Sequence, residues 1–250
     1  KRGKVELNLL NNLIKTVVRL RLLTYNETLK YIKKEIYIMG IPVLILGESG
    51  TGKSCSMRNL DPSKTVLIQA VSKPLPFKNT FLKRSNENPN GTVMVSDNSV
   101  FMIDAMNHYA KSGAKTIVID DFQYVMANEF MRRSQETGFT KFTDIARHAW
   151  EIITAAQNLP DDVKVYFLSH VQSDDQGVTK AKTIGKLLDE KITVEGLFTI
   201  VLRTNVEDGK YRFSTQNNGN DTVKSPMGLF DAQYIENDLQ EINTKISEYY

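Results

Sequence analysis

The chain has 250 residues, 41% hydrophobic and 24% charged, a balance ordinary for a globular protein, and its length allows one large α/β domain or one domain with an appendage. A single cysteine excludes an intrachain disulfide framework or a cysteine-based zinc cluster, and it fits a reducing, cytoplasmic compartment. No apolar run reaches the ~18 residues of a membrane span, and a net charge of +3 is too weak to announce a nucleic-acid partner by itself.

Residues 1–38 stand apart. Leu10, Leu13, Ile14, Val17 and Val18 recur at helical spacing with Lys15 and Arg19 off the stripe, and a second helical piece runs from Asn26 or Glu27 to about Tyr37. This N-terminal extension is either a contact surface, a helix packed on the core, or sequence outside the natural domain. The chain opens on Lys rather than Met, and Met39-Gly40-Ile41-Pro42 reads as a natural start. The core is therefore expected over 39–230, with a polar tail over 231–250.

Val43-Leu44-Ile45-Leu46 reads as a buried strand, and it runs directly into Gly47-Glu48-Ser49-Gly50-Thr51-Gly52-Lys53-Ser54. This is G-x-x-x-x-G-K-[ST], the P-loop, between a strand and the helix start at Cys55-Ser56-Met57. Glycine lets the backbone wrap closely around phosphates, and N–H groups at a helix start favour an anion. The expected binding set for ATP is thus Gly47 through Cys55, with Cys55 itself a small packed residue. Lys53 reaches the β- and γ-phosphates, and the Ser54 hydroxyl ligates Mg²⁺.

Thr65-Val66-Leu67-Ile68-Gln69 reads as the next buried strand, followed by an irregular, proline-containing excursion over 72–98. Asp97 or Ser96 is placed to cap a helix through Val100, Phe101, Ile103 and Met106 that stops near Gly113. Thr116-Ile117-Val118-Ile119-Asp120-Asp121 is an apolar strand ending in acid, the Walker B pattern, which gains its force from the P-loop before it. Asp120 is assigned to the metal. Asp121 either orients the attacking water or is a solvated loop acid.

Residues 122–140 read as a polar loop carrying Arg132, Arg133 and Gly138, and Phe142 to Gln157 as a helix with Trp150 in the core. Val163 to Leu168 is a strand ending in Ser169-His170. His170 at that tip is either a γ-phosphate sensor or a histidine bonded to backbone. Residues 171–190 hold Lys180, Lys182 and Lys186 at a strand's carboxyl end, where ligands bind in open α/β sheets. These lysines, with Arg132 and Arg133, are the candidates for a DNA phosphate backbone; a solvated charge run is the alternative. Phe198 to Arg203 and Lys210 to Phe213 flank Glu207-Asp208-Gly209 as a β-hairpin.

This order of strand, P-loop, Walker B strand, sensor strand and terminal hairpin resembles the RecA-like ATPase core. More closely, Ile41 to Ser54, Ile117 to Asp121, Leu168-Ser169-His170, Gly185-Lys186-Leu187-Leu188, the hairpin and Val223-Lys224-Ser225-Pro226-Met227-Gly228 resemble phage-encoded RecA-like ATPases of single-strand annealing and recombination. The resemblance implies a mostly parallel, doubly wound α/β sheet with a C-terminal β-hairpin and an ATPase that acts on single-stranded DNA. It also implies a homo-oligomeric ring or filament, in the cytoplasm of a bacterial host, with Lys224 reaching a neighbouring subunit's γ-phosphate. It departs in one place: the strand after the P-loop ends Ile68-Gln69-Ala70-Val71, with no acid where RecA carries its catalytic glutamate, and no arginine finger is visible. Two other readings remain. An AAA+ helicase loader or motor would need a helical lid after the core, and a non-hydrolysing protein would use ATP only to control assembly.

Overall fold

The computed structural model describes residues 39–250, and the helices expected over 1–38 lie outside the described residues. Eight strands form one sheet: β1 (Ile41–Leu46), β2 (Thr65–Gln69), β3 (Val93–Val95), β4 (Thr116–Asp120), β5 (Lys164–Ser169), β8 (Ile200–Glu207), β9 (Lys210–Ser214) and β10 (Tyr234–Glu236). A separate two-stranded ribbon is made by β6 (Val171–Ser173) and β7 (Thr179–Ala181). The order across the large sheet is β10-β9-β8-β1-β5-β4-β2-β3. Pairing is parallel from β3 through β8 and antiparallel only in β8-β9-β10. One strand, β5, therefore separates the P-loop strand β1 from the Walker B strand β4. This is the RecA-like P-loop core, with the C-terminal hairpin continuing its sheet.

The uninterrupted apolar runs are explained by burial on both faces. Leu44, Leu46, Ile117, Ile119, Val165 and Phe167 point to one side, under α1 (Ser99–Lys111), α2 (Gln123–Arg132) and α3 (Thr140–Gln157). Val43, Ile45, Val118, Tyr166 and Leu168 point to the other, under Met57, Leu60 and α4 (Leu239–Tyr249). The hairpin turn has positive φ at both Asp208 and Gly209, the type I′ geometry whose twist matches the strands it joins.

Several expectations need correction. Residues 122–140 are not a loop: α2 buries Val125 and Met126 beside Phe122, an i, i+3, i+4 stripe hidden among polar residues. Trp150 is 39% exposed rather than core, because it lies off the stripe of Ile145, Ala149, Ile152, Ile153 and Ala156. The cap of α1 is Asn98, whose side chain accepts from the Phe101 N–H, while Asp97 is taken by Arg132. The excursion over 72–98 ends in β3, and the helix after the P-loop is a single 3-10 turn, Ser54–Met57. The 231–250 segment is no tail: β10 extends the sheet, and α4 buries Leu239, Ile242 and Ile246. Asn243 on α4 accepts from the Tyr166 hydroxyl at 2.7 Å and donates to Thr116 at 2.9 Å, tying this helix to two central strands.

Ile242→Ala should therefore cost about 2–5 kcal/mol, the range for truncating a core isoleucine, read as a lower midpoint in urea unfolding. An unchanged midpoint would mean α4 contributes nothing to the core.

Candidate nucleotide-binding site

The register of the parallel strands assembles the site. Leu46 pairs with Ser169, and Ile119 with Phe167, so β1, β5 and β4 end within one residue of each other. Gly47, His170 and Asp121 consequently emerge from one edge. The Gly47 N–H donates to the Ser169 carbonyl at 3.2 Å, and the Phe122 N–H to Leu168 at 2.9 Å, so the backbone leaves both strands anchored.

The loop itself is braced from β8. Thr204 Oγ1 bonds the Leu46 carbonyl at 3.2 Å and lies 2.6 Å from Thr51 Oγ1, which in turn donates to the Glu48 carbonyl. A methyl group at Gly47 would stand 1.9 Å from Thr204 Oγ1, so that glycine is required by close packing. Lys53 folds back beneath the loop, its Nζ 2.8 Å from the Gly47 carbonyl and 2.7 Å from that of Glu48. Only 6% of Lys53 is exposed. Burial lowers its ammonium to about 8, against the opposing pull of Asp121 and Asp120. A phosphate group would restore the charge partner that this buried cation lacks.

Ser54 Oγ donates to Asp120 Oδ1 at 2.9 Å, joining the two expected Mg²⁺ ligands, and Asp120 Oδ2 is buried with no hydrogen-bond partner. Burial and the adjacent Asp121 raise the Asp120 carboxyl above its usual range, as expected where a site is short of positive charge. Hard hydroxyl and carboxylate oxygens suit Mg²⁺, which keeps several waters and takes the rest of its ligands from phosphates. Ser54 and Asp120 alone make no metal cage, and a set of one hydroxyl and one carboxylate fits a metal that arrives with a nucleotide.

Asp121 takes a left-handed conformation, φ 60, because its neighbour Phe122 stays bonded to β5 while its own carbonyl already accepts from the Tyr124 N–H of α2. Its carboxylate meets Lys73 Nζ at 2.5 Å and lies 3.6 Å from His170 Nε2. Burial would raise this carboxyl, but His170 and Lys73 outweigh it and hold it below the usual range. Asp121 is thus a fixed anion, better suited to orienting a water than to taking its proton. His170 is edge-on to Tyr124 at 6.0 Å and faces the same opening. A cleft of about 450 Å³ gathers Lys53, Ser54, Lys73, Asp121, Tyr124 and His170. A second, of about 400 Å³, shares Cys55 and Tyr211 with it and adds Arg58 and Asn237, whose buried amide has no partner.

Lys73, Thr204, Tyr211 and Asn237 were not among the residues expected from sequence. Lys73 had one legible signal, its place just past the carboxyl end of a parallel strand; the others reach the site only through the hairpin and the segment after it.

The expected DNA-binding residues are largely committed elsewhere. Arg132 pairs with Asp97, and Arg133 with Glu129, Glu136 and Asp144, a cluster that holds α2 to α3. Lys180 pairs with Asp189, while Lys186 pairs with Glu190 at the surface and stays exposed, as Lys182 does. Lys224 is exposed too, on a backbone fixed to Val201 by two hydrogen bonds.

A family model described as an AAA domain matches residues 39–226. No curated protein matches. Among solved structures, a KaiC-like protein from the hyperthermophilic archaeon Pyrococcus horikoshii aligns over 70% of this chain and 76% of its own, at 14% identity and a TM-score of 0.37.

Lys53 has a pH signature in metal-chelated, nucleotide-free protein. Folded, it loses its proton near 8; unfolded, near 10.5. The unfolded state binds more protons in that window, so the stability of the wild type relative to Lys53→Met should rise from pH 8 towards 10.5. Urea unfolding on both sides of pH 8 measures it. A constant difference would mean that Lys53 titrates as an ordinary surface lysine.

Proposed function

We propose, for a chain that belongs to the AAA domain family and is an ATPase, that it hydrolyses Mg²⁺-ATP in an oligomer that acts on single-stranded DNA. The observation that carries the nucleotide chemistry is the Ser54–Asp120 contact with its orphaned carboxylate oxygen, set beside a phosphate loop with a buried lysine. Ser54 and Asp120 would hold Mg²⁺, which when bound draws negative charge off the phosphate oxygens. The loop amides and Lys53 bind the phosphates, and the cleft at Tyr211, Arg58 and Asn237 offers room for the base. Asp121 orients a water toward the γ-phosphorus. Its oxygen bonds to phosphorus as the bond to the bridging oxygen breaks; that electron pair leaves on ADP, and the water's proton goes to the released phosphate. With no acid at the end of β2, Asp121 takes the water-orienting role that a glutamate has elsewhere.

The DNA partner rests on the resemblance in motif order, and a place in phage recombination or replication rests on that alone. Membership in the AAA domain family favours a second reading, a motor or loader acting on another partner. Against a lid-bearing AAA+ motor stands the hairpin, which continues the sheet where a helical lid would begin.

ATP turnover measured with and without single-stranded DNA tests the reading, and turnover should rise with DNA. Affinity should fall with salt at a log–log slope of about −0.7 per phosphate contact. Replacing Lys180, Lys182 and Lys186 with Ala should flatten that slope, chiefly through the exposed Lys182 and Lys186. DNA-independent turnover would remove DNA from the function and favour the motor with another partner.

Lys224 is the candidate for a contact in trans: a long cation on an anchored backbone, outside its own cleft. Mixing Lys224→Ala with Lys53→Ala subunits should restore activity that neither has alone, because each lacks a different half of a shared site. Wild-type turnover by Lys224→Ala alone would end that assignment.

A further inference from the structure

Among the described residues, Lys73 is the one lysine besides Lys53 that lines the phosphate cleft. Its surroundings divide sharply into fixed and free parts. The Lys73 carbonyl accepts from the side-chain amide of Gln69, itself only 4% exposed, at 3.1 Å. Gln69 ends β2 beside Asp120, and the next N–H, of Ala70, donates to the Asp120 carbonyl at 3.0 Å. The backbone of Lys73 is thus tied to the metal-binding strand by the residue that stands where an acid was missing. Its side chain is 39% exposed, against 6% for the Asp121 side chain it pairs with. One partner of this ion pair is held; the other is free to swing.

Two lysines and two aspartates leave the nucleotide-free cleft close to neutral. A triphosphate adds more negative charge than Mg²⁺ cancels, and it adds it within the reach of a lysine stem. We propose that Lys73 leaves Asp121 when ATP binds and contacts the terminal phosphate of the same subunit's nucleotide. It then acts as a catalytic cation in cis. The swap does two things at once: positive charge moves to where the transition state gathers negative charge, and Asp121 is released to accept a hydrogen bond from the attacking water. Lys73 keeps its proton and forms no covalent bond. Gln69, as the brace of Lys73, is a positioning residue.

This inference rests on the P-loop reading, so the test separates the two. Binding of ADP and of the slowly hydrolysed analogue ATPγS, with Mg²⁺, is measured for wild type, Lys53→Ala, Lys73→Ala and Lys73→Gln, alongside ATP turnover. Lys73→Ala and Lys73→Gln should bind ADP as wild type does and lose about tenfold or more in ATPγS affinity, the scale of a charge-assisted hydrogen bond. Turnover should fall by about 10²-fold, the loss typical of removing one transition-state donor. Mixing Lys73→Ala with Lys53→Ala subunits should restore nothing, since both lysines serve one site. Equal loss of ADP and ATPγS affinity, wild-type turnover, or recovery in the mixture would each overturn the proposal. Wild-type nucleotide affinity in Lys53→Ala would instead overturn the P-loop reading, and this inference with it.

Discussion

The parallel pairing of β1 with β5 and of β5 with β4 is the constraint on which the site depends. No single functional residue is placed by its own loop. Gly47, Asp121 and His170 meet because Leu46 is opposite Ser169 and Ile119 opposite Phe167. Slip β4 by one residue and Asp120 turns to the other face of the sheet, away from Ser54. The two-sided apolar core forbids that slip: Ile117 and Ile119 would trade places with Val118, each leaving a packed layer of different shape. Burial thus sets the position of Asp120 before any ligand arrives.

Charge is sorted with similar economy. Arg133 faces three carboxylates and fixes α2 on α3, away from any ligand. In the cleft, by contrast, Lys53 has only carbonyl oxygens within hydrogen-bonding distance, and Asp120 keeps a bare oxygen. Surface ions that are saturated by partners stabilise little individually but stay where they are put. Buried ions left short of partners are costly, and the ligand that completes them recovers that cost.

Much of this was legible in the sequence because two-sided burial leaves an unmistakable mark. Val43–Leu46, Val66–Ile68, Ile117–Ile119 and Val165–Leu168 are continuous apolar runs, and each lies in a central strand. Gly47 to Ser54 carries its chemistry in its spacing. What was hidden has a common cause: half-buried elements whose stripes are broken by polar residues. Gln123–Arg132 reads as polar because Asn128, Glu129 and Arg132 serve ion pairs and hydrogen bonds rather than the core. Leu239, Ile242 and Ile246 are too few to stand out in a charged segment, yet their 3–4 spacing is that of a packed helix. The position of Lys73 past a strand end was legible, but its pairing with Asp121 was not, since a contact between residues so far apart in sequence is a product of sheet order alone.

The strand order also bears on how the protein comes into being. Among the described residues β1 is the first strand made, yet it lies in the middle of the sheet, between β5 and β8. Its neighbours pair Ile41 with Lys164 and Val43 with Ile200. At roughly 5–20 residues per second, a ribosome needs on the order of ten seconds to supply them. During that interval the chain carries an exposed apolar strand with no companion, and such long-range pairings close slowly. The brace from Thr204 to the loop and the helix that covers Tyr166 arrive later still. A nascent fragment that ends before β8 therefore contains every letter of the phosphate-binding motif but lacks the threonine that braces it. The motif is one short segment, and the threonine that braces it comes 158 residues after Leu46.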